Sequence, residues 1–242
     1  MQKKKRRFSY TGHKNQRNRI GWIIPKILVF VLLYASLTSV FFSVVVLESD
    51  SMAENLRAGE RFVFLSYNFH TVVPWLNLER ESVPFRRGNV VMVEMFREEE
   101  PNIFFNILDG VVRFLTFQRL SLIDQREHLF VKRVIGLPGD EISMANFVAR
   151  VTVKGSPYNL TEFEVTERDY TPAIPRLPVI WDSSLPFSGE LDAVVLGDSE
   201  TFLLSDDRSN TNDSRTWGPV PVRNITGRAI FRYWPLNRLG RI

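Results

Sequence analysis

The pattern of apolar and polar positions divides the chain into two parts. Residues 27–47 (ILVFVLLYASLTSVFFSVVVL) carry no charged side chain over 21 positions. As a helix rising 1.5 Å per residue, this segment is about 30 Å long, the thickness of a bilayer core. The sequence therefore predicts one N-terminal transmembrane α-helix. A cleaved signal peptide is the alternative interpretation, but its apolar core would be shorter, and no small-x-small site followed by a turn is evident after residue 47.

After residue 47 the pattern consists mostly of short runs that are typical of β-strands. Glycine and proline separate these runs, and no long segment with helical periodicity dominates. The predicted strands cover residues 61–67, 89–96, 129–135, 147–153, 201–205 and 229–234. The fold class predicted for residues 48–242 is therefore mostly β, with several twisted antiparallel sheets or a partial barrel.

One segment departs from the β pattern. In residues 103–123 the polar positions 106, 109, 113, 116 and 119 recur close to every 3.5 residues, which predicts an amphipathic helix with a wide apolar face. Such a helix could pack on its own domain or lie in the bilayer interface, and the sequence leaves both interpretations open.

The charge distribution orients the predicted membrane segment. Residues 1–26 hold nine of the 31 Lys and Arg residues and no acid, and the first acidic residue is Glu48. The positive-inside rule then places this basic tail in the cytoplasm and residues 48–242 on the far side of the membrane, in a single-pass topology. From position 27 onward 22 basic residues face 27 acidic ones, a net charge of −5. The basic balance therefore belongs to the tail and argues against a nucleic-acid-binding surface.

The histidines offer little to a catalytic site on the outer side. His13 lies in the basic tail, and neither His70 nor His128 has a recognisable catalytic context. Two isolated histidines without a surrounding carboxylate pattern do not suggest a metal site, so we expect no metal and no cofactor. A Ser-His-Asp hydrolase is possible but has no support in the sequence.

The lysines are more informative. After the membrane segment the basic residues are arginine except for Lys132 and Lys154. A buried lysine can lose its proton and become a base, whereas arginine cannot. Lys132 lies within the apolar run LFVKRVIG, so it is a candidate for a functional lysine, although a surface lysine at a strand edge fits composition equally well.

A family resemblance emerges from four segments taken together. These are SDSMAENL (49–56), RRGNVVMV (86–93), VKRVIGLPGD (131–140) and SDDRSNTNDSRTWGPVP (205–221), in this order after one membrane segment. The set resembles bacterial type I signal peptidase, a serine/lysine dyad peptidase, and GRAIFRYWPLNRLG (227–240) is similar to the closing strand of that family. Residues 97–128 and about 145–190 match poorly.

The resemblance implies a catalytic pair and its supporting residues. Ser51 corresponds to the nucleophile and Lys132 to the general base that takes its proton. The oxyanion donors would be the Ser51 backbone N–H and the Ser49 hydroxyl, and Thr211 would orient the lysine. Ion pairs that support the site are implied for Arg133, Asp213 and Arg215. Candidates for the walls of the substrate pocket are Leu47, Met52, Leu56, Phe130 and Val131.

The chain departs from the family's pattern in three places. Its usual Pro-Thr after the nucleophile is Glu54-Asn55 here, its Asp after Gly88 is Asn89, and its Gly-Asp-Asn opening of the last segment is Ser205-Asp206-Asp207. These differences concern the local backbone geometry, because the nucleophile, the base and the oxyanion donors are all present.

The function implied by the resemblance is removal of signal peptides from exported preproteins by cleavage after a small-x-small motif. The expected partners are these preproteins and membrane lipid. One alternative is a catalytically silent, membrane-anchored β domain that acts as a binding or accessory protein. Others are a self-cleaving Ser/Lys protease of the repressor type, which the membrane segment and the NDSRTWG motif argue against, and a single-pass signalling or transport accessory protein.

Overall fold

The structure is a computed structural model. It describes residues 41–67, 83–95, 129–167, 169–176 and 189–242, together with the helical positions 23, 25–30, 33–34, 105, 108–109 and 112. His13, His70, His128 and most of the predicted helix at 103–123 lie outside the described residues. Among the described residues, no helix is both long enough and apolar enough to cross a membrane.

The described residues form two antiparallel sheets, which confirms the mostly β fold. The strands of the larger sheet are β1 (Phe42–Val46), β2 (Arg61–Ser66), β3 (Val90–Glu94), β4 (Leu129–Gly136), β9 (Glu200–Leu204), β10 (Val220–Pro221), β11 (Ile225–Trp234) and β12 (Gly240–Arg241). Those of the smaller sheet are β5 (Glu141–Ala145), β6 (Val148–Thr152), β7 (Asn159–Thr161) and β8 (Leu191–Val195). The larger sheet has the strand order β1-β2-β11-β3-β4-β9-β10, with β12 paired to β11, and the smaller has the order β7-β6-β5-β8.

The helical elements between these strands are short. They are two α-helical turns, α1 (Glu162–Val165) and α2 (Ser214–Trp217), and three 3₁₀ turns, η1 (Asp50–Met52), η2 (Val222–Asn224) and η3 (Leu236–Arg238). The turn η1 follows β1 by three residues and packs against β4. The segment that carries Ser51 is therefore held close to the central strand that carries Lys132.

Strand β1 corrects the end of the predicted membrane helix. Residues 42–46 pair antiparallel with β2, from Phe42 opposite Leu65 to Val46 opposite Arg61. Three consecutive valines in this segment favour extended backbone, because β-branched side chains pack well on a pleated sheet. The last five residues of the uncharged run before Leu47 therefore belong to the sheet.

The alternation of side chains along β4 separates two apolar clusters on the two faces of the larger sheet. Val131 packs with Leu47, Met52 and Leu56 in one cluster. Phe130 and Val134 belong to a cluster on the opposite face, which also contains Leu203 and Ile225. Lys132 shares the face of Phe130 and Val134 because it lies two residues from each.

The GLPGD turn carries the chain from β4 into β5 and so from one sheet to the other. Gly139 adopts φ +83°, a conformation that favours glycine. Buried Asp140 closes the turn by accepting from the Leu137 N–H at 2.8 Å, and the Arg87 guanidinium donates to both of its carboxylate oxygens. These hydrogen bonds therefore fix the C-terminal end of β4 relative to the start of β5.

A fully buried ion pair joins the smaller sheet to the segment after β9. The Arg208 guanidinium donates to both carboxylate oxygens of Glu162, at 2.9 and 2.5 Å, and to the carbonyl of Phe147 at 2.6 Å. Tyr170 also donates to Glu162. Because both charged groups are buried, removing either partner would leave an uncompensated charge in the interior.

Candidate active site

Lys132 lies in the middle of β4 with its side chain in the protein interior. Only 2% of the residue is exposed, and its backbone partner in β3 is Val91. The amine Nζ donates a hydrogen bond to Ser205 Oγ at 2.9 Å. A lysine in this position is removed from water while one of its N–H groups is still satisfied.

Burial lowers the pKa of Lys132 from its ordinary value of 10.5 to about 8. Asp213 and Asp206 act against this shift and Arg215 adds to it. The two carboxylates are each paired with an arginine: Asp206 with Arg133 at 2.5 Å and Asp213 with Arg215 at 2.7 Å. Within the described part of the chain, no carboxylate forms an ion pair with Lys132. Desolvation therefore dominates, and a substantial fraction of the amine is neutral near pH 8.

The Trp217 ring lies close to the Lys132 amine. Its ring centroid lies 5.9 Å from Lys132 Nζ and 5.2 Å from the ring centroid of Phe130. The indole N–H donates to Asn212 Oδ1 at 2.9 Å, which fixes the orientation of the ring. The two aromatic side chains thus provide part of the apolar environment in which the amine is desolvated.

Ser51 occupies the short turn η1. The residue is 5% exposed, and its backbone N–H donates to Ser49 Oγ at 3.1 Å, so that Ser49 acts as the N-cap of the turn. The two predicted oxyanion donors, the Ser51 N–H and the Ser49 hydroxyl, are therefore neighbours. Both could reach one oxygen atom if the N–H released the Ser49 side chain.

A three-residue segment, Ser205-Asp206-Asp207, connects the turn of Ser51 with the strand of Lys132. Besides the Ser205 contact to the lysine amine, the Asp207 backbone N–H donates to the carbonyl oxygen of Ser51 at 3.0 Å. Asp206 Oδ2 accepts from Asn55 Nδ2 at 2.9 Å, and its two carboxylate oxygens accept from Arg133. One segment thus fixes both candidate catalytic residues relative to each other.

The supporting residues implied by the resemblance form two separate ion pairs. Arg133 pairs with Asp206 and also donates to the carbonyl of Gly88 at 2.7 Å. Arg215 pairs with Asp213. Asp213 also accepts the backbone N–H of Ser205 at 2.9 Å, so the second pair holds the residue that contacts Lys132.

The hydroxyl that contacts Lys132 differs from the predicted one. The resemblance assigned this role to Thr211, whereas the structure gives the hydrogen bond to Ser205. Thr211 is half-buried, and its carbonyl accepts from the Asp213 N–H at 2.8 Å and from the Thr216 hydroxyl at 2.6 Å. The cause lies in the register of the antiparallel pair β4 and β9, in which Arg133 lies opposite Leu204. Continuing this register by one residue places Ser205 opposite Lys132.

Four of the five predicted pocket residues lie together, and the fifth does not. Leu47, Met52, Leu56 and Val131 share one buried cluster. Phe130 packs in the cluster on the other face because neighbouring strand residues point in opposite directions. Its ring contacts Trp217, the aromatic side chain next to the Lys132 amine, instead.

Sequence reasoning did not identify four residues that the structure brings to the site. They are Asn55, Ser205, Asp207 and Trp217. Three of them, Asn55, Ser205 and Asp207, stand at positions where the chain departs from the family's pattern, and this departure was the available signal. Among the described residues there is no group of three or more His, Cys, Asp or Glu side chains that could hold a metal ion.

Comparison with known proteins places the chain in a family. Residues 19–234 match the family described as signal peptidase, peptidase S26. The chain is 27% identical over 200 residues to signal peptidase I of Leptolyngbya laminosa, which covers 80% of the chain and 70% of that protein. It is 30% identical over 196 residues to probable signal peptidase I-1 of Synechocystis, with 80% of the chain and 72% of that protein covered. It is also 23% identical to signal peptidase I P of Bacillus subtilis subsp. natto, with 93% and 95% covered.

The chain belongs to the signal peptidase family, peptidase S26, because the match spans nearly all of it. The family predicted from the sequence is confirmed, and by class the protein is an endopeptidase that removes signal peptides. The interpretation as a catalytically silent binding domain is not favoured.

Proposed function

We propose that the protein cleaves exported preproteins by a mechanism in which Ser51 is the nucleophile and Lys132 the general base. The single observation that carries this proposal is the environment of the lysine. Its amine is buried, lacks a carboxylate counter-ion among the described residues and has a pKa lowered to about 8. A lysine used only for structure would be stabilised by a paired charge, whereas a base must be able to exist unprotonated.

In the proposed reaction the Ser51 hydroxyl attacks the scissile carbonyl while its proton passes to Lys132 Nζ. The tetrahedral intermediate then collapses to an acyl-enzyme, and the ammonium returns the proton to the departing amine. Water, deprotonated by the same amine, hydrolyses the ester and releases the signal peptide. The Ser51 N–H and the Ser49 hydroxyl stabilise the oxyanion, which requires the N–H to exchange its present bond to Ser49 for one to the substrate.

The edge of β4 suggests how an extended substrate would bind. Residues 129–133 pair with β3 on one side, whereas the pairing with β9 on the other side begins only at Arg133. Within the described ranges no strand covers that second edge at Leu129, Phe130 or Val131. An extended preprotein segment could add there as a further strand through main-chain hydrogen bonds.

The apolar cluster next to this edge would form the pocket for small side chains. Val131, Met52 and Leu56 are all at most 9% exposed, and Leu47 completes the wall. A closely packed wall leaves room for alanine-sized residues but would require displacement of the core by larger ones. This arrangement supports cleavage after a small-x-small motif.

We also propose that the apolar segment beginning at residue 27 anchors the enzyme in the inner membrane, with the basic tail in the cytoplasm and the sheets on the outer side. The uncharged segment and the nine basic residues before it support this topology. Tethering of enzyme and substrate to one bilayer raises their effective concentration, since both are then confined to its surface.

The test is cleavage of a purified preprotein by the full-length protein in detergent, comparing wild type with Ser51→Ala, Lys132→Ala and Ser209→Ala. Ser209 is an exposed serine whose hydroxyl bonds to Asp207, so its loss controls for removal of a nearby hydroxyl. We expect the first two variants to lose cleavage and Ser209→Ala to retain it. Cleavage at wild-type rate by folded Ser51→Ala would overturn the proposal.

A further inference from the structure

We infer that the Ser205 hydroxyl is the positioning group that orients the Lys132 amine for catalysis. It does so by accepting a hydrogen bond from Nζ at 2.9 Å. This inference rests on the proposed function, since it concerns how the base of that mechanism is held. It assigns a role to a residue at which the family's pattern has glycine and hence no side chain.

The backbone of Ser205 is held firmly at the end of β9. Its N–H donates to Asp213 Oδ2 at 2.9 Å, and its carbonyl accepts from Arg208 Nε at 3.0 Å. The residue has no exposed surface. Because Asp213 and Arg208 are themselves in buried ion pairs, the hydroxyl occupies a fixed position next to the lysine.

A fixed acceptor matters because a lysine side chain is long and its amine rotates freely. A neutral amine has two N–H groups and one lone pair, and it acts as a base only when the lone pair faces the hydroxyl that loses its proton. Donation of one N–H to Ser205 removes most of this rotational freedom. The remaining N–H group and the lone pair of the amine then take defined directions relative to the protein.

The same segment positions the nucleophile. Two residues after Ser205, the Asp207 N–H holds the carbonyl oxygen of Ser51 at 3.0 Å. The proposed base and nucleophile are thus both held by hydrogen bonds to the segment 205–207. A displacement of the amine by about 1 Å within this arrangement is sufficient to reduce the rate about 100-fold.

The structure separates this role from that of Thr211. The described contacts of Thr211 use its backbone carbonyl, and among the described residues its hydroxyl has no hydrogen bond to Lys132. Loss of the Ser205 hydroxyl should therefore affect the base directly, whereas loss of the Thr211 hydroxyl should not.

The test compares full-length Ser205→Ala and Thr211→Val in detergent, with kcat and KM for a preprotein measured between pH 6 and 10. We expect Ser205→Ala to lower kcat about 10- to 100-fold with KM unchanged within twofold. The acidic limb of its pH profile should also move to lower pH, since an oxygen acceptor stabilises the ammonium more than the amine. Thr211→Val should resemble wild type. Unchanged kcat and pH profile in Ser205→Ala, or the full effect in Thr211→Val instead, would overturn the inference.

A matched control separates positioning from stability. Ser214 is another buried serine of this region, 2% exposed, and its hydroxyl accepts the Leu203 N–H at 2.9 Å without contacting Lys132. Ser214→Ala should lower the Tm but leave kcat per folded molecule and the acidic limb unchanged. If Ser205→Ala does not fold, Ser205→Gly removes the same hydroxyl and carries the same expectation.

Lys132→Ala distinguishes failure of this inference from failure of the proposed function. If Lys132→Ala is inactive while Ser205→Ala behaves as wild type, only the positioning role is excluded. If folded Lys132→Ala cleaves the preprotein, the lysine mechanism itself fails and with it the inference.

Discussion

The Asp207 backbone amide donates to the carbonyl oxygen of Ser51 across a sequence separation of more than 150 residues. This contact joins the turn after β1 to the segment that follows β9, and it does not depend on either side chain. The same segment reaches Lys132 through Ser205 and Arg133 through Asp206. The geometry of the proposed catalytic pair is therefore determined by the segment 205–207 as much as by the turn η1 that carries Ser51 and the strand β4 that carries Lys132.

The buried ion pair between Arg133 and Asp206 should be important for both stability and activity. Asp206→Ala would leave a buried guanidinium without its partner and release Asn55, at a cost of about 3–5 kcal/mol. We expect a marked fall in Tm and in kcat/KM, measured by thermal unfolding and preprotein cleavage. The control is Glu167→Ala, which removes the partner of Arg86 in an exposed pair and should cost less than about 1 kcal/mol. Equal effects of the two changes would contradict this assignment.

Activity should depend on the ionisation of Lys132. Because the proposed mechanism requires the neutral amine and its pKa is lowered to about 8, kcat/KM should rise with pH, approximately tenfold per pH unit well below 8, and level off above it. The measurement is a pH profile of preprotein cleavage at constant ionic strength. A profile that is flat from pH 6 to 9, or that continues to rise towards pH 10.5, would be inconsistent with a buried neutral base.

Trp217 should help to keep this pKa low. Replacing it by alanine would admit water to the Lys132 amine, raise its pKa towards the ordinary value and shift the acidic limb of the profile to higher pH. Trp217→Phe retains a ring over the amine and should shift the limb less. A limb that stays in place in Trp217→Ala would show that the ring does not contribute to the desolvation of the amine.

The buried lysine should also reduce the stability of the folded protein. Its pKa is lower in the folded than in the unfolded state, so folding releases a proton between about pH 8 and 10.5 and buries the charged amine below about pH 8. The penalty is fully present below pH 8 and disappears as pH rises towards 10.5. Lys132→Met should therefore stabilise the protein at pH 7 by on the order of 1–3 kcal/mol, and progressively less at higher pH.

Lys154 is the matched control for this measurement. It is the other lysine after the membrane segment, and its exposed side chain pairs with exposed Asp198. Lys154→Met should change the free energy of unfolding by well under 1 kcal/mol at either pH. A stabilisation by Lys132→Met that is independent of pH would have to arise from packing and not from ionisation.

Strands with a clear apolar pattern could be predicted from the sequence. All six predicted runs contain a strand, for example β4 in 129–135 and β11, which includes 229–234. Strand β1 was assigned to the membrane helix because a continuous apolar run does not distinguish a buried strand from a helix. Strands β10 and β12 have only two residues each, too few for any periodicity to be visible.

Ser51 and Lys132, the proposed nucleophile and base, are predicted from linear motifs, but their surroundings depend on three-dimensional register. Ser205 is 73 residues from Lys132 in the sequence, and only the pairing of β9 with β4 brings the two together. The family's pattern assigns the orienting hydroxyl to position 211. It cannot reveal that the serine in place of glycine at position 205 accepts the hydrogen bond from the Lys132 amine. Local departures from a motif are thus informative when the structure shows what they contact.

The account depends most directly on Lys132 being largely unprotonated near pH 8, and this can be measured on the full-length protein. With lysine labelled by ¹³C at Cε, an NMR titration in detergent would follow each lysine, and the spectrum of Lys132→Arg would assign the signal. The account predicts one lysine that titrates near pH 8, absent from that variant and shifted to lower pH in Ser205→Ala. A Lys132 signal that titrates near its ordinary pKa of 10.5 would contradict it.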